Sequence, residues 1–171
     1  MSITDLIADR VTRNMLFPVL PKARGAARAR AMFVAQKLWD VLNSPEGNDE
    51  AWEQRVGELQ ADLERFVGDD PVTPEYLKLL YPAVEGVWEI RSVTHKPSIR
   101  VLGLFPEKDV FVATNMELRE NLGGWQSRAW KDVKRLAKTV WVWLFHTYPP
   151  IITIDIKQLV SGAVDGKYFK G

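Results

Sequence analysis

Apolar positions recur along this chain with two different periods, and the change from one to the other divides the sequence. In the first half the spacing is helical. Ile3, Leu6, Ile7 and Val11 predict a helix over residues 3–16, closed by Pro18 and Pro21. The Ala/Arg-rich stretch KARGAARAR, Lys22–Arg30, leads into a predicted helix running through Asn43, with Met32, Phe33, Gln36 and Trp39 near one face. Ser44–Asn48 (SPEGN) has the composition of a turn. Trp52, Val56, Leu59, Leu63 and Phe66 then form one apolar stripe, predicting a helix over 50–67 that stops at Gly68. Thr73 can cap a short helix, Pro74–Leu80, with proline at its first position.

From Val87 the period is two. VWEIRSV sets Val87, Glu89 and Arg91 against Trp88 and Ile90 and predicts a strand. Ser98–Phe105 (SIRVLGLF) and Asp109–Thr114 (DVFVAT) predict two more, joined by turns at Thr94–Pro97 and Pro106–Lys108, which favours an antiparallel meander. Beyond Gly123–Gly124, Ser127 can cap a helix reaching Phe145. Its expected buried face carries Trp130, Val133, Leu136, Ala137, Val140, Trp141 and Leu144. Ile151–Ile156 alternates as a possible further strand, and the Gly-rich, basic end from Ser161 to Gly171 reads as loosely held. The fold class is therefore α+β: N-terminal helices, an antiparallel sheet of three to four strands packed with helices, and a C-terminal basic amphipathic helix. The expected divisions are an N-terminal helical extension, 1–48, a core, 49–146, and a tail, 147–171.

Composition narrows the chemistry. The 171 residues are 46% hydrophobic and 26% charged, which is globular rather than disordered. The absence of cysteine excludes disulfides, thiolate metal sites and a cysteine nucleophile. With His95 and His146 the only histidines, a multi-histidine metal cage is not expected, and no cofactor is implied. The longest purely apolar run, Val140–Phe145, is far short of the roughly 20 residues that span a bilayer. MSITDLIADR carries acids early and has no apolar core before a small-residue cleavage site, so no secretory signal is expected and the cytoplasm is the expected location. GxGxxG after a strand, GxxxxGK[ST], HExxH and GxSxG are missing.

Net charge is only +1, but residues 1–45 carry +4, residues 46–86 carry −8 and residues 87–171 carry +5. A near-neutral protein built this way can still present a basic face to a polyanion. Arg91 and Arg100 lie on successive strands, and pairing about the intervening turn can bring them together. Two arginines on one sheet face repel unless an anion or a carboxylate separates them. A phosphate backbone suits their planar donor forks, and Glu89 and Glu107 are the carboxylates that could instead neutralise them in surface ion pairs. The turn adds Lys96 and His95. The latter is either a general acid, base or phosphate contact, or an exposed turn residue without a role. Arg128, Lys131, Lys134, Arg135 and Lys138 form a basic helix face, readable as a nucleic-acid track or as solvated lysines. Among seven tryptophans, Trp52, Trp88, Trp130 and Trp141 fall on core faces, whereas Trp125, in a loop, is the candidate for an exposed stacking residue.

Gly86-Val87-Trp88-Glu89-Ile90-Arg91, then Ile99-Arg100-Val101-Leu102-Gly103-Leu104-Phe105, then Val110-Phe111-Val112-Ala113, following a helical segment, resemble the RelE-like toxin superfamily, in particular its HigB, phage-derived host-inhibition branch. The resemblance covers residues 58–114. It implies a curved antiparallel sheet and a metal-independent, ribosome-associated mRNA endoribonuclease held inactive by an antitoxin. In that chemistry basic residues on the sheet hold the RNA, the RNA's own 2′-hydroxyl attacks the adjacent phosphate, and cationic side chains stabilise the developing charge. Carried over by position, Arg91 and Arg100 face the phosphate, with His95 as a further catalytic candidate. Lys96, Arg119, Arg128, Lys131 and Arg135 are then the candidate nucleic-acid contacts. After the third strand the family usually carries a basic pair, where this chain has Thr114-Asn115-Met116-Glu117-Leu118-Arg119. The alternative is a non-catalytic nucleic-acid- or protein-binding accessory protein, of phage or mobile-element origin, on the same fold. The partners implied are RNA or the ribosome and an antitoxin protein, with no membrane.

Overall fold

The computed structural model describes residues 1–21, 29–43 and 49–171. The Ala/Arg-rich stretch before Ala29 and the SPEGN turn lie outside them. Among the described residues the architecture is α+β, with four helices and one six-stranded mixed sheet. In chain order these are α1 (Ile3–Thr12), β1 (Leu16–Pro18), β2 (Ala31–Ala35), α2 (Gln36–Asn43), α3 (Glu50–Val67), β3 (Leu77–Leu79), β4 (Trp88–Ser92), β5 (Ile99–Glu107), β6 (Val110–Leu118) and α4 (Arg128–Phe145). The strand order is β1-β2-β6-β5-β4-β3, and only the β2–β6 pairing is parallel.

Local chemistry sets the helix ends. Ser2 and Asp5 form a reciprocal capping box on α1. The Asp49 carboxylate accepts from the amides of Ala51 and Trp52 at the start of α3, and Ser127 Oγ accepts from Trp130 N at the start of α4. The α3 stripe is buried as its spacing predicts, with Val56, Leu59, Leu63 and Phe66 all inside. At about 1.5–3 kcal/mol per large side chain, that stripe is enough to hold the helix on the sheet. Two apolar cores result. One lies between α2, α3 and one sheet face, where Trp88, Ile90, Phe105 and Phe111 meet Phe66. The other lies between α1, α4 and the opposite face, around Leu102, Leu104, Val112 and Trp141.

Several sequence expectations are corrected. The sheet has six strands rather than three to four, and it is mixed rather than antiparallel. Residues 1–48, expected as a helical extension, contribute β1 and β2 to it. The helix expected through Asn43 begins only at Gln36, because Met32 and Val34 bury at a period of two against β6. Pairing here overrides the helical propensity of the flanking alanines. Similarly, the first helix ends at Thr12, and the short helix expected at Pro74–Leu80 is a strand, since Leu77 and Leu79 alternate inward opposite Ile90 and Trp88. Ile151–Ile156 forms no strand: Ile152 and Ile154 are exposed, and Asp155 caps a single 3₁₀ turn, Ile156–Gln158. Leu136 is also exposed, although its helical phase placed it on the buried face of α4.

The tail is not loose. Ile156, Leu159, Val160 and Tyr168 enter the first core. The Tyr168 hydroxyl lies 2.8 Å from the carbonyls of both Val72 and Val164, which share its one proton, and Leu79 N donates to Tyr168 O. Three buried arginines serve the frame rather than a ligand. Arg10 Nε donates to Leu144 O, satisfying a carbonyl at the C-terminus of α4 and placing a cation at the negative end of its dipole. Arg55 donates to the carbonyls of Pro97 and Ser92. Arg30 donates to the carbonyls of Phe66, Ser161 and Asp70 and lies over the Phe66 ring.

β5 and β6 shift register between Leu102 and Gly103. A Cβ at Gly103 would lie 2.3 Å from Val112 O and 2.4 Å from the Phe111 ring. Because the obstacle includes backbone, Gly103→Ala is expected to cost about 3 kcal/mol, read as a lowered midpoint in urea denaturation.

Candidate anion-binding site

The site grows out of the β4–β5 pairing. Arg91 stands directly opposite Arg100, as pairing about the turn predicts, and Lys78 on β3 stands opposite Glu89 on β4. Alternation sends Glu89, Arg91 and Arg100 to the face away from Trp88 and Ile90. The two guanidinium groups would repel, and the carboxylate of Glu89 sits between them, 3.2 Å from Arg91 Nε and 3.5 Å from Arg100 Nε. This is not the surface ion pair that the sequence allows. Glu89 is 4% exposed and Arg100 6%. Burial raises the pKa of Glu89 above the ordinary glutamate value even though Arg100 and Arg91 pull it down, and burial lowers that of Arg100. Glu107 takes no part and lies by a separate depression beside α1.

Around this triad is a cavity of about 240 Å³. Its lining includes six cations, Lys78, Arg91, Arg100, Arg119, Lys134 and Lys170, against the single carboxylate of Glu89. Arg119, just after β6, donates from Nη1 to Gly123 O and lies over the Trp130 ring. Lys134 donates from Nζ to Tyr81 O, and Lys78 Nζ donates to Lys167 O, which ties the tail to the sheet edge and delivers Lys170. Burial lowers the pKa of both Lys78 and Lys134. An adjoining cavity of about 250 Å³ shares Tyr81, Gln126 and Lys134 and adds Lys131, Arg135, Lys138 and Glu85. Glu85 pairs with Lys138 at 2.6 Å, and Arg135 with Asp132 at 3.4 Å.

The buried donors of the two arginines are only partly satisfied by Glu89. Among the described residues, the buried Nε atoms of Arg91 and Arg100, Nη1 of Arg100 and Oε2 of Glu89 make no hydrogen bond, although Glu89 is ion-paired with both arginines. A buried N–H left unpaired costs about 1–3 kcal/mol, and an oxyanion in the cavity would satisfy several at once. A phosphate oxygen suits this best, because two guanidinium forks can each bind it through paired donors.

The sequence candidates therefore separate. Arg91, Arg100 and Arg119 line the arginine cavity, and Lys131 and Arg135 line its neighbour. Arg128 is exposed in the first turn of α4 and lines neither. His95 lies in the β4–β5 turn with Nδ1 3.5 Å from Glu58 Oε2, and Lys96 in the same turn donates to Ser98 Oγ; neither lines either cavity. Sequence reasoning missed Lys78, Tyr81 and Lys170, which reach the cavity from the edge strand, the segment that follows it and the tail. Only long-range pairing reveals them, although LKL alternation could have exposed β3. Lys134 was legible as part of a basic helix face, but it is buried rather than solvated.

Among the described residues there is no group of three or more His, Asp or Glu side chains that could hold a metal ion, and no helix long and apolar enough to cross a membrane. Compared with protein-family models, curated proteins and solved structures, the chain matches none.

Proposed function

We propose that the arginine cavity binds the phosphate backbone of single-stranded RNA, and that the protein is a RelE/HigB-like toxin, a metal-independent, ribosome-associated mRNA endoribonuclease. The observation that carries the reading is the buried Arg100, with two N–H donors making no hydrogen bond, facing Arg91 across the sheet. In the reaction, the 2′-oxygen of the RNA forms a bond to phosphorus as the bond to the 5′-oxygen breaks. This leaves a 2′,3′-cyclic phosphate and a 5′-hydroxyl, with protons exchanged through water. Arg91, Arg100 and Arg119 would hold the non-bridging oxygens, whose charge is greatest in the transition state.

A second reading is non-catalytic binding of RNA at the same cavity. It is favoured by the position of His95, which pairs with Glu58 and leaves the cavity without an imidazole for proton transfer. Controlled expression in bacteria, following growth together with the integrity of a translated reporter mRNA, separates the two. Growth arrest with cleaved mRNA, lost in Arg91→Ala, is the expected result. Normal growth with intact mRNA at confirmed expression removes the nuclease and leaves the binding module.

A further inference from the structure

We infer that Trp125, backed by Tyr81, is a nucleobase platform that stacks the base attached to the phosphate in the arginine cavity and favours purines. The inference rests on the RNA reading of that cavity. Trp125 is 70% exposed and Tyr81 41% exposed. Leaving an indole this open forgoes the burial that places Trp88 and Trp141 inside the cores, and isolated exposed aromatics need no explanation. This one is different because the chain fixes it in place. Gly123 and Gln126 take left-handed backbone conformations at φ 67° and 58° on either side of the loop. Arg119 Nη1 holds Gly123 O, so a phosphate-facing arginine also anchors the platform. Ser127 Oγ donates to Leu122 O and accepts from Trp130 N, which fixes the far end.

The ring geometry defines how a base would sit. Trp125 and Tyr81 are 5.6 Å apart between centroids and tilted by 53°. That spacing is too close and too inclined for a base between the two rings, so the base stacks on the open indole face while Tyr81 supports the other side. Both rings line the cavity that holds Arg91 and Arg100, so one nucleotide can engage the cations through its phosphate and the indole through its base. Stacking accepts any base but scales with ring area, which favours adenine over uracil.

The test compares three ligands by fluorescence anisotropy at one salt concentration: decaadenylate, decauridylate and an abasic ribose-phosphate decamer. Wild-type protein is expected to bind them in that order of decreasing affinity. Trp125→Leu is expected to weaken decaadenylate binding by roughly tenfold while leaving the abasic decamer unchanged, and Trp125→Phe is expected to restore most of the loss. If wild type binds all three equally, or Trp125→Leu weakens all three equally, the platform is overturned while RNA binding stands. If wild type binds none of them, both the platform and the RNA reading fall.

Discussion

Replacing Arg100 by methionine is expected to weaken the binding of single-stranded RNA by roughly 100-fold. A hydrogen bond to a charged group contributes about 1.5–3 kcal/mol, and Arg100 can offer two to one phosphate from a site that is 6% exposed. Arg91, with its side chain 34% exposed, is expected to lose roughly tenfold on the same change, because water screens and replaces it more readily. Methionine keeps the apolar stem, so the sheet is expected to remain folded. The variant has its own pH signature. With Arg100 gone, Glu89 stays buried beside Arg91 alone and takes up a proton more readily. Arg100→Met is therefore expected to be less stable than wild type at neutral pH and to recover as pH falls through the raised pKa of Glu89. Equilibrium titration of RNA and thermal unfolding at several pH values read both effects, and unchanged RNA affinity would sink the assignment of the cavity.

Glu89→Gln is expected to act in the opposite direction on binding. Removing the one carboxylate from among the cavity's cations should tighten RNA affinity by roughly tenfold or more. It should also raise stability at neutral pH, because the neutral amide avoids the cost of burying an ionised carboxylate. The pH profile traces both effects to the carboxylate. In wild type the folded pKa of Glu89 lies above the ordinary value of 4.5. Above that raised pKa the carboxylate is ionised and competes with the phosphate; below it the group is neutral and the cavity gains one positive charge. Wild-type affinity should therefore rise as pH falls through this pKa, and the Glu89→Gln profile should be flat there. The linked stability has the same sign. The folded state holds the proton more tightly than the unfolded state, so burial of the ionised carboxylate costs stability above the raised pKa, and that cost is relieved as pH falls towards 4.5. A wild-type profile as flat as the variant's would remove Glu89 as the controlling group.

The elements legible in the sequence are those whose pattern is long or closed by a short turn. The α3 stripe, Ser127 at the head of α4 and the β4–β5–β6 meander all follow from local periodicity and capping, and with them the juxtaposition of Arg91 and Arg100. What stayed hidden depends on partners far away in the chain. β2 is five residues long and runs directly into α2, so its period of two merges with the following helical pattern until β6 is beside it. β3 is shorter still and follows a Thr-Pro pair that resembles a helix start. The cavity shows the same division. Arg91 and Arg100 come from adjacent strands of one meander and Arg119 from the residue after its last strand, whereas Lys78, Lys134 and Lys170 converge from an edge strand, a helix and the tail. The basic helix face was legible as periodicity, but the carbonyl of Tyr81 that takes Lys134 out of solvent was not.

The parallel seam between β2 and β6 has a consequence for the order of events in folding. Ala31 pairs with Val110, so the ends of a long stretch of chain must meet before this seam forms. All other strand pairs are antiparallel, and β3 to β6 follow one another closely enough to assemble early as a four-stranded nucleus. β1 and β2, although earlier in the chain than the rest of the sheet, are therefore expected to join it last. Closing so long a loop slows the final step more than it weakens the finished sheet. An intermediate with β6 unpaired on that side would expose the edge that β2 later covers, and this is where misassembly would begin.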